Sequence, residues 1–277
     1  QRRGHFDIAA MAMVQAAELS RDKQTTLRAF SLALEVGRAE MALRMAKQML
    51  ELEPSSVQAQ TLLLQAYIAD DRPDDVYQTL IILLERPDGE VDAVVRRVGE
   101  ALGGQHDPGR WMSVMERLSE HLPDKPEVHL ALSFVAKRAG LFERADSAVD
   151  RALELRPGWE EAALFRLAWW SEAGKRAAIA DFAAEFLGAY PDRVHFRLVF
   201  ARLLAEWDDN QAALGQFSRL LDYEPDNTDV LFSASLLHLQ ERRYETAEKM
   251  LRRCLELEPE EDRARFYLSH IARHQQR

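Results

Sequence analysis

The chain has 277 residues, of which 47% are hydrophobic and 30% are charged, and this composition excludes both a disordered chain and an integral membrane protein. The net charge of -10 opposes general affinity for nucleic-acid phosphates, and a single cysteine excludes an intrachain disulfide and a multi-thiolate metal site. Only 12 glycines and 10 prolines interrupt the chain, which favours long helices with short connections over a β-sandwich or barrel.

Apolar residues recur at helical spacing in a series of blocks along the chain, separated by short breaks such as Gly140, Gly174 and the Asp208-Asp209 pair. The sixteen helices predicted in chain order span residues 5–19, 23–36, 39–52, 56–70, 73–85, 91–102, 109–121, 126–139, 142–155, 159–173, 176–189, 194–206, 209–222, 228–240, 243–256 and 260–274. No run of about 18 apolar residues occurs, so no membrane-spanning segment is expected. The predicted fold class is therefore all-α.

Seven prolines define a period in the chain. Pro54, Pro87, Pro123, Pro157, Pro191, Pro225 and Pro259 are separated by 33, 36, 34, 34, 34 and 34 residues. Proline suits a helix boundary because it lacks the N–H that continues the hydrogen-bond ladder and disfavours helix in the preceding residue. Each interval is therefore predicted to be one pair of helices, and the whole chain has room for about eight such pairs.

Small residues recur within these intervals at equivalent positions. Ser133, Ala201 and Ser235 occupy one position, and Ala145, Ala213 and Ala247 occupy another. The second group begins an alanine-x3-bulky pattern that ends in Val149, Phe217 and Leu251, each followed by a closing proline. Small side chains at these places are expected where two helices cross closely.

This pattern resembles the tetratricopeptide repeat family. The resemblance implies a right-handed superhelical α-solenoid of helix-turn-helix repeats over residues 1–277, with an orphan helix at 5–19, seven helix pairs over 23–256 and a terminal capping or half-repeat helix at 260–274. Residues 92–125 match less well, because they contain an insertion at 103–109 and place Trp111 where a small residue is usual. That repeat is expected to be looser or bent.

No catalytic residue, cofactor or metal site is assigned, and the protein is expected not to be an enzyme. The sequence has no zinc-protease, nucleophile-elbow, Walker or Rossmann motif. His270 and His274 have the spacing of a two-histidine metal pair, but no third ligand stands at a helical step, so a solvated face is favoured. Cys254 takes the position of Ala152 in an earlier repeat, which favours a buried space-filling thiol over a reactive one.

The acidic pairs between helices are interpreted as structural. Asp70-Asp71 and Asp208-Asp209 stand where one helix ends and the next begins, so cap and turn roles are favoured over a catalytic dyad.

The family resemblance also implies a concave groove lined by the first helix of each pair. The groove positions carried over to the second half of this sequence are Leu130, Phe134, Phe165, Trp169, Leu198, Arg202, Phe232, Leu236, Phe266 and His270. Aromatic residues with an arginine among them suit the anchoring of a peptide or helix. The alternative is that these side chains pack under adjacent helices, and full burial of Phe134, Phe165, Trp169 and Phe232 together would exclude the groove. The lysine and asparagine clamp with which some members bind acidic tails is not matched.

The predicted function is that of a noncatalytic scaffold or adaptor whose partner is a protein or peptide, without nucleic acid. Residues 4–60 resemble bacterial envelope lipoproteins built of these repeats, which implies a periplasmic or outer-membrane-anchored full-length protein acting in envelope assembly or periplasmic proteolysis. The alternatives are the repeat module of a larger enzyme and a self-assembling structural protein. A homodimer through terminal helices is also predicted, with Ile8, Met11 and Val14 forming an exposed apolar face of a chain cut from a longer protein.

Overall fold

The computed structural model describes residues 2–85, 98, 99, 102 and 108–275. The helices in these ranges are α1 (Arg2–Ser20), α2 (Lys23–Glu35), α3 (Ala39–Leu52), α4 (Val57–Ala69), α5 (Pro73–Leu84), α6 (Pro108–His121), α7 (Pro126–Arg138), α8 (Phe142–Leu155), α9 (Glu160–Glu172), α10 (Arg176–Ala189), α11 (Val194–Glu206), α12 (Asn210–Tyr223), α13 (Thr228–Gln240), α14 (Tyr244–Leu257) and α15 (Asp262–Gln275). No strand occurs among the described residues, so the predicted all-α class is confirmed. Most of the helix predicted at 91–102 and of the insertion at 103–109 lies outside the described residues.

The chain divides into two compact units, Gln1–Pro157 and Gly158–Arg277. In the first unit α2 packs on α3, α4 on α5 and α7 on α8, while the second contains the pairs α9–α10, α11–α12 and α13–α14. First helices of successive pairs also touch, as α9 does with α11 and α11 with α13. Each unit is thus a stack of helix pairs in which every pair contacts its neighbours. The single solenoid over residues 1–277 stays a prediction.

The turn inside each pair contains one residue in the left-handed conformation. These residues are Gly37, Asp71, Gly140, Gly174, Asp208 and Arg242, with φ between 53° and 74°. The amide that follows closes a bond to a carbonyl five residues earlier, as Leu141 N does to Ala136 O at 2.9 Å. This is the Schellman arrangement, which satisfies carbonyls at the end of the first helix.

The acidic pairs have the structural roles predicted for them. Asp70 ends α4, and Asp71 follows it at φ 53°. Asp208 is left-handed at φ 63°, and the carboxylate of Asp209 accepts a hydrogen bond from the Ala212 amide at the start of α12. A short polar side chain tolerates the left-handed region better than most residues do, and an aspartate is a favoured N-cap.

The small residues of the repeat are buried at helix crossings, as predicted. Six of these residues are 0% exposed: Ser133, Ala145, Ala201, Ala213, Ser235 and Ala247. Cys254 is 1% exposed and Ala152 is 0% exposed, which confirms that the Cys254 thiol is a buried side chain. Trp111 is 2% exposed and belongs to the core of the first unit.

The apolar residues of α1 do not all face solvent, and the prediction that Val14 is exposed is wrong. Val14 is 2% exposed, because it shares one helix face with Ala10 and Ala17 and that face packs on α2. Ile8 and Met11 lie off this face and are 62% and 49% exposed. None of the helices in the described ranges combines the length and apolar character needed to cross a bilayer.

Candidate functional site

Eight of the predicted partner-binding residues lie on the first helices of the second unit, in one repeated register. They are Phe165 and Trp169 on α9, Leu198 and Arg202 on α11, Phe232 and Leu236 on α13, and Phe266 and His270 on α15. We call these eight residues the first-helix column. The two residues of each helix are four positions apart, so both side chains lie on the same helix face.

Most of the first-helix column retains accessible surface. Arg202, Phe266 and His270 are exposed, with Phe266 at 60%. The aromatic and aliphatic residues Phe165, Leu198, Phe232 and Leu236 are half-buried. Trp169 differs, since it is only 6% exposed. Full burial of the aromatic set, which would have excluded a groove, is therefore not observed.

Within the first-helix column, the Phe232 ring is contacted by Arg263 and Tyr267. The Arg263 guanidinium lies 4.6 Å from the centroid of its ring, and the Tyr267 ring lies edge-on at 5.9 Å. Arg263 itself pairs with Glu261 at 2.8 Å. Phe232 is half-buried, and the cation over its face with the edge-on ring beside it makes it an ordered apolar anchor rather than a freely moving one.

The remaining two predicted residues, Leu130 and Phe134, lie on α7 in the first unit. Leu130 is 2% exposed and Phe134 is half-buried. The position of Gly99 explains part of this burial, because a Cβ on Gly99 would lie 3.2 Å from Ala131 Cα and 3.3 Å from Phe134 Cβ. This close approach puts the Gly99 backbone against α7 beside Phe134. Leu130, at 2% exposed, offers a partner little surface.

A small polar cavity of about 200 Å³ lies beside Phe232, between α13, α14 and the start of α15. The Arg263 guanidinium lowers the pKa of Glu261 to about 2, and burial raises the pKa of the Cys254 thiol to about 11. A thiol with so high a pKa is a poor nucleophile at neutral pH. Within the described ranges no cluster of three histidine, cysteine or acidic side chains could hold a metal ion.

Sequence reasoning missed a groove of about 400 Å³ between the second helices α10 and α12. Its sides carry small residues at helical spacing, which are Ala180, Ala183, Ala184 and Gly188 on α10 and Ala212 on α12. The spacing of these residues on α10 was a readable signal. Tightly packed helices carry small residues at the same spacing. Only the distance between the two helices tells a groove from a close helix contact.

The comparison with known families agrees with this arrangement. Residues 228–261 match the tetratricopeptide repeat family. The matched segment contains α13 and α14 together with Pro259. A search among curated proteins found no significant match.

Several solved structures resemble the chain in fold. A human IFIT1 dimer with m7Gppp-AAAA matches 97% of this chain and 67% of its own at 14% identity, with a TM-score of 0.50. A chain of the APC/C hetero-tetramer Cut9-Hcn1 matches at 13% identity and a TM-score of 0.44, covering 97% of this chain, which spans about half (53%) of that one. MamA from Desulfovibrio magneticus RS-1 matches at 15% identity and a TM-score of 0.45, covering 63% of this chain and 98% of its own.

The stacked helix pairs, the Schellman turns and the buried small residues define a helical-repeat protein. Residues 228–261 match the tetratricopeptide repeat, so this segment is the part of the chain that the family model identifies. The fold is one that serves as a scaffold for protein interactions.

Proposed function

We propose that this protein is a noncatalytic adaptor that binds a peptide or protein segment on the first-helix column. The observation that carries this proposal is the repeated register of accessible apolar side chains on consecutive first helices. Phe165, Leu198, Phe232 and Phe266 recur at 33, 34 and 34 residues, and each keeps accessible surface. Such a series offers one apolar contact for every repeat.

The chemistry of the column favours an apolar segment with an acidic or polar flank. Half-buried aromatic rings supply large contact area at low entropic cost, since they are already held in place by neighbours. Arg202, which is exposed between these rings, supplies a charged donor for a carboxylate or backbone carbonyl. Leu130 and Phe134 are proposed to contribute in the same way in the first unit, with Phe134 providing most of the accessible surface.

Substitution of the column with a matched control tests this proposal. A Phe165→Ala, Phe232→Ala and Phe266→Ala variant is compared with Phe142→Ala, which removes a 50% exposed aromatic ring from a second helix. Proteins captured from an extract of the native organism are quantified by mass spectrometry after circular dichroism has shown that both variants are folded. We expect specific partners to be lost only from the triple variant. Equal retention by both variants would contradict the proposal.

Self-association is a second candidate function, favoured by the exposed face of α1. Phe6, Ile8 and Met11 are 58%, 62% and 49% exposed there. Sedimentation at several concentrations, for the wild type and for an Ile8→Lys and Met11→Lys variant, tests for a homodimer or larger assembly. A concentration-independent monomer mass for the wild type would exclude it.

The narrower role in the bacterial envelope and the enzyme-module alternative stay predictions. Fractionation of cells that produce the full-length protein tests the first. The sequence of the complete gene tests the second.

A further inference from the structure

The groove between α10 and α12 is lined by residues of α10, α11 and α12. Its floor is formed by Phe200 and Leu204 of α11, which are 6% and 5% exposed. At one end the rings of Phe186 and Phe196 pack between α10 and α11 with centroids 4.5 Å apart. Above the floor, Ala180, Ala184 and Gly188 of α10 are exposed, whereas Ala183 is buried.

The same end of the groove carries positive charge. Arg197, one turn before Phe200 on α11, is 3% exposed, does not line the groove itself, and donates from Nη1 to the lining residue Gln216, at Oε1, at 2.9 Å. Gln216 and Arg219 line the groove directly, on successive turns of α12. Burial and the charge of Arg219 lower the pKa of Arg197.

The buried charge at this end is only partly compensated. Arg197 Nη2 donates to Pro191 O at 3.1 Å, but Arg197 Nε is buried without a hydrogen-bond partner. Among the residues that the structure describes, neither Arg197 nor Arg219 forms an ion pair with a carboxylate. A buried cation without a counter-ion is costly, so an anion bound at this end would lower the free energy of the site.

The opposite end of the groove is acidic. Asp209 lines it and caps α12, so the groove runs from a carboxylate at the start of α12 to the Arg219 guanidinium near its end. The intervening wall is apolar and made of small side chains, over which another backbone can approach closely. This combination of small sides, an apolar floor and opposite charges at the two ends fits a helix better than an extended chain.

We propose that the groove between α10 and α12 is a docking site for an amphipathic helix of a partner protein. Apolar side chains of that helix lie on Phe200 and Leu204, and an aspartate or glutamate near one end pairs with Arg219 above Arg197. The sides of the site come from second helices and its floor from α11, and none of its lining residues belongs to the first-helix column. The adaptor would therefore have a second binding surface, which recognises an apolar helix face with an acidic residue rather than a segment on the first-helix column.

Two glycines provide a blocking variant and its control. A Cβ at Gly188 would meet no atom within 4 Å, and the same holds at Gly215, which is on α12 but does not line the groove. Gly188→Leu therefore fills the groove without a clash, while Gly215→Leu adds the same side chain elsewhere. Arg219→Glu reverses the charge of the exposed guanidinium.

The probe is a displayed library of helical 15-residue peptides, selected on the 277-residue chain and then synthesised for fluorescence-anisotropy titration. We expect enriched peptides with apolar residues at i, i+3 or i+4 and i+7, and an acidic residue one turn away. Their affinity should fall by at least about tenfold in Gly188→Leu and in Arg219→Glu. It should be unchanged in Gly215→Leu and in Phe232→Ala, which keeps this result distinct from that for the first-helix column.

A charge exchange gives the sharpest test. A peptide whose acidic residue is replaced by lysine should bind the Arg219→Glu variant, which the original peptide does not bind well. The proposal is overturned if no peptide is enriched, or if the enriched peptides bind Gly188→Leu and Arg219→Glu as tightly as wild type. Arg219-dependent binding of dodecanoate without helix binding would assign the groove to a long-chain carboxylate and overturn it. Self-association lost in Gly188→Leu would assign the groove to a second copy of the chain and overturn it as well.

Discussion

Cys254 shows how the repeat constrains a single residue. Its position is held by Ala152 one hundred and two residues earlier, and both side chains are buried. The Cys254 thiol lies 3.6 Å from Thr228 O, so the larger side chain fits with one weak hydrogen bond to the first helix of its own repeat. Burial at this position was evident from the sequence, but a size limit was not, because the two intervening repeats carry Phe186 and Leu220 there. The partner of the thiol was not evident either, since it depends on side-chain geometry.

The reactivity of Cys254 follows from its surroundings. Burial, with Glu258 and Glu261 nearby, raises the pKa of this thiol to about 11, so almost no thiolate exists at neutral pH. Alkylation by iodoacetamide at about pH 8 should be at least about a hundredfold slower in the native protein than in guanidinium chloride, as measured by mass spectrometry. Similar rates in the two conditions would show an accessible thiolate.

Glu261 should make stability depend on pH in the acidic range. The hydrogen bond from Arg263 lowers the pKa of Glu261 from 4.5 to about 2 in the folded protein. A depressed folded-state pKa stabilises the protein above the unfolded-state value, and this contribution is lost as the pH falls from about 4.5 towards 2. Thermal unfolding of wild type and Glu261→Gln should therefore differ at neutral pH and converge near pH 2. A constant difference across that range would assign the effect to another group.

At the scale of helices and turns, the sequence predicts most of the structure. The first helix, predicted at 5–19, spans Arg2–Ser20, and the last, predicted at 260–274, spans Asp262–Gln275. Prolines and left-handed turn residues limit the errors in predicted helix ends, because both act through local backbone geometry. The accessibility of the predicted site is less predictable. Trp169 and His270 hold equivalent positions on α9 and α15, yet Trp169 is buried and His270 is exposed, because exposure depends on the side chains of neighbouring helices.

The connection before α9 contains a glycine that the sequence period does not predict. Gly158 has φ +75°, and a Cβ there would lie 2.7 Å from the Tyr190 ring. Gly158→Ala should lower the free energy of unfolding by about 1–3 kcal/mol through strain and the steric contact. Gly174→Ala is the control, since its φ is +69° and its Cβ would have no neighbour within 4 Å.

Chemical denaturation measures both variants. The loss for Gly174→Ala should be the smaller, because it contains backbone strain alone. Equal losses would show that Tyr190 moves aside at no cost.

At the scale of the whole molecule, each compact unit has its own buried core. Leu251 is 0% exposed in the core of the second unit, among side chains of α13, α14 and α15. The division at Pro157 and Gly158 was not foreseen, since the proline period passes through it without interruption. The proline period predicts which helices pair locally, whereas the extent of a compact unit depends on the contacts between successive pairs along the stack.

Removal of the Leu251 side chain tests how far such contacts extend within the second unit. Leu251→Ala should cost about 2–5 kcal/mol by leaving a cavity. Hydrogen exchange measured residue by residue should show the largest loss of protection in α13, α14 and α15 and a smaller loss in α9 and α10. A uniform loss from α9 to α15 would instead show that the second unit unfolds as one cooperative body.

The turns inside the helix pairs have a consequence for how a chain of this kind changes in length. Each turn satisfies its carbonyls with amides no more than five positions away, as Arg243 N does with His238 O at 2.8 Å. A 34-residue segment therefore contains its own complete set of turn hydrogen bonds. Its duplication or deletion leaves no turn backbone group unpaired at the cut. Lineages of this protein can be expected to differ by whole multiples of the period.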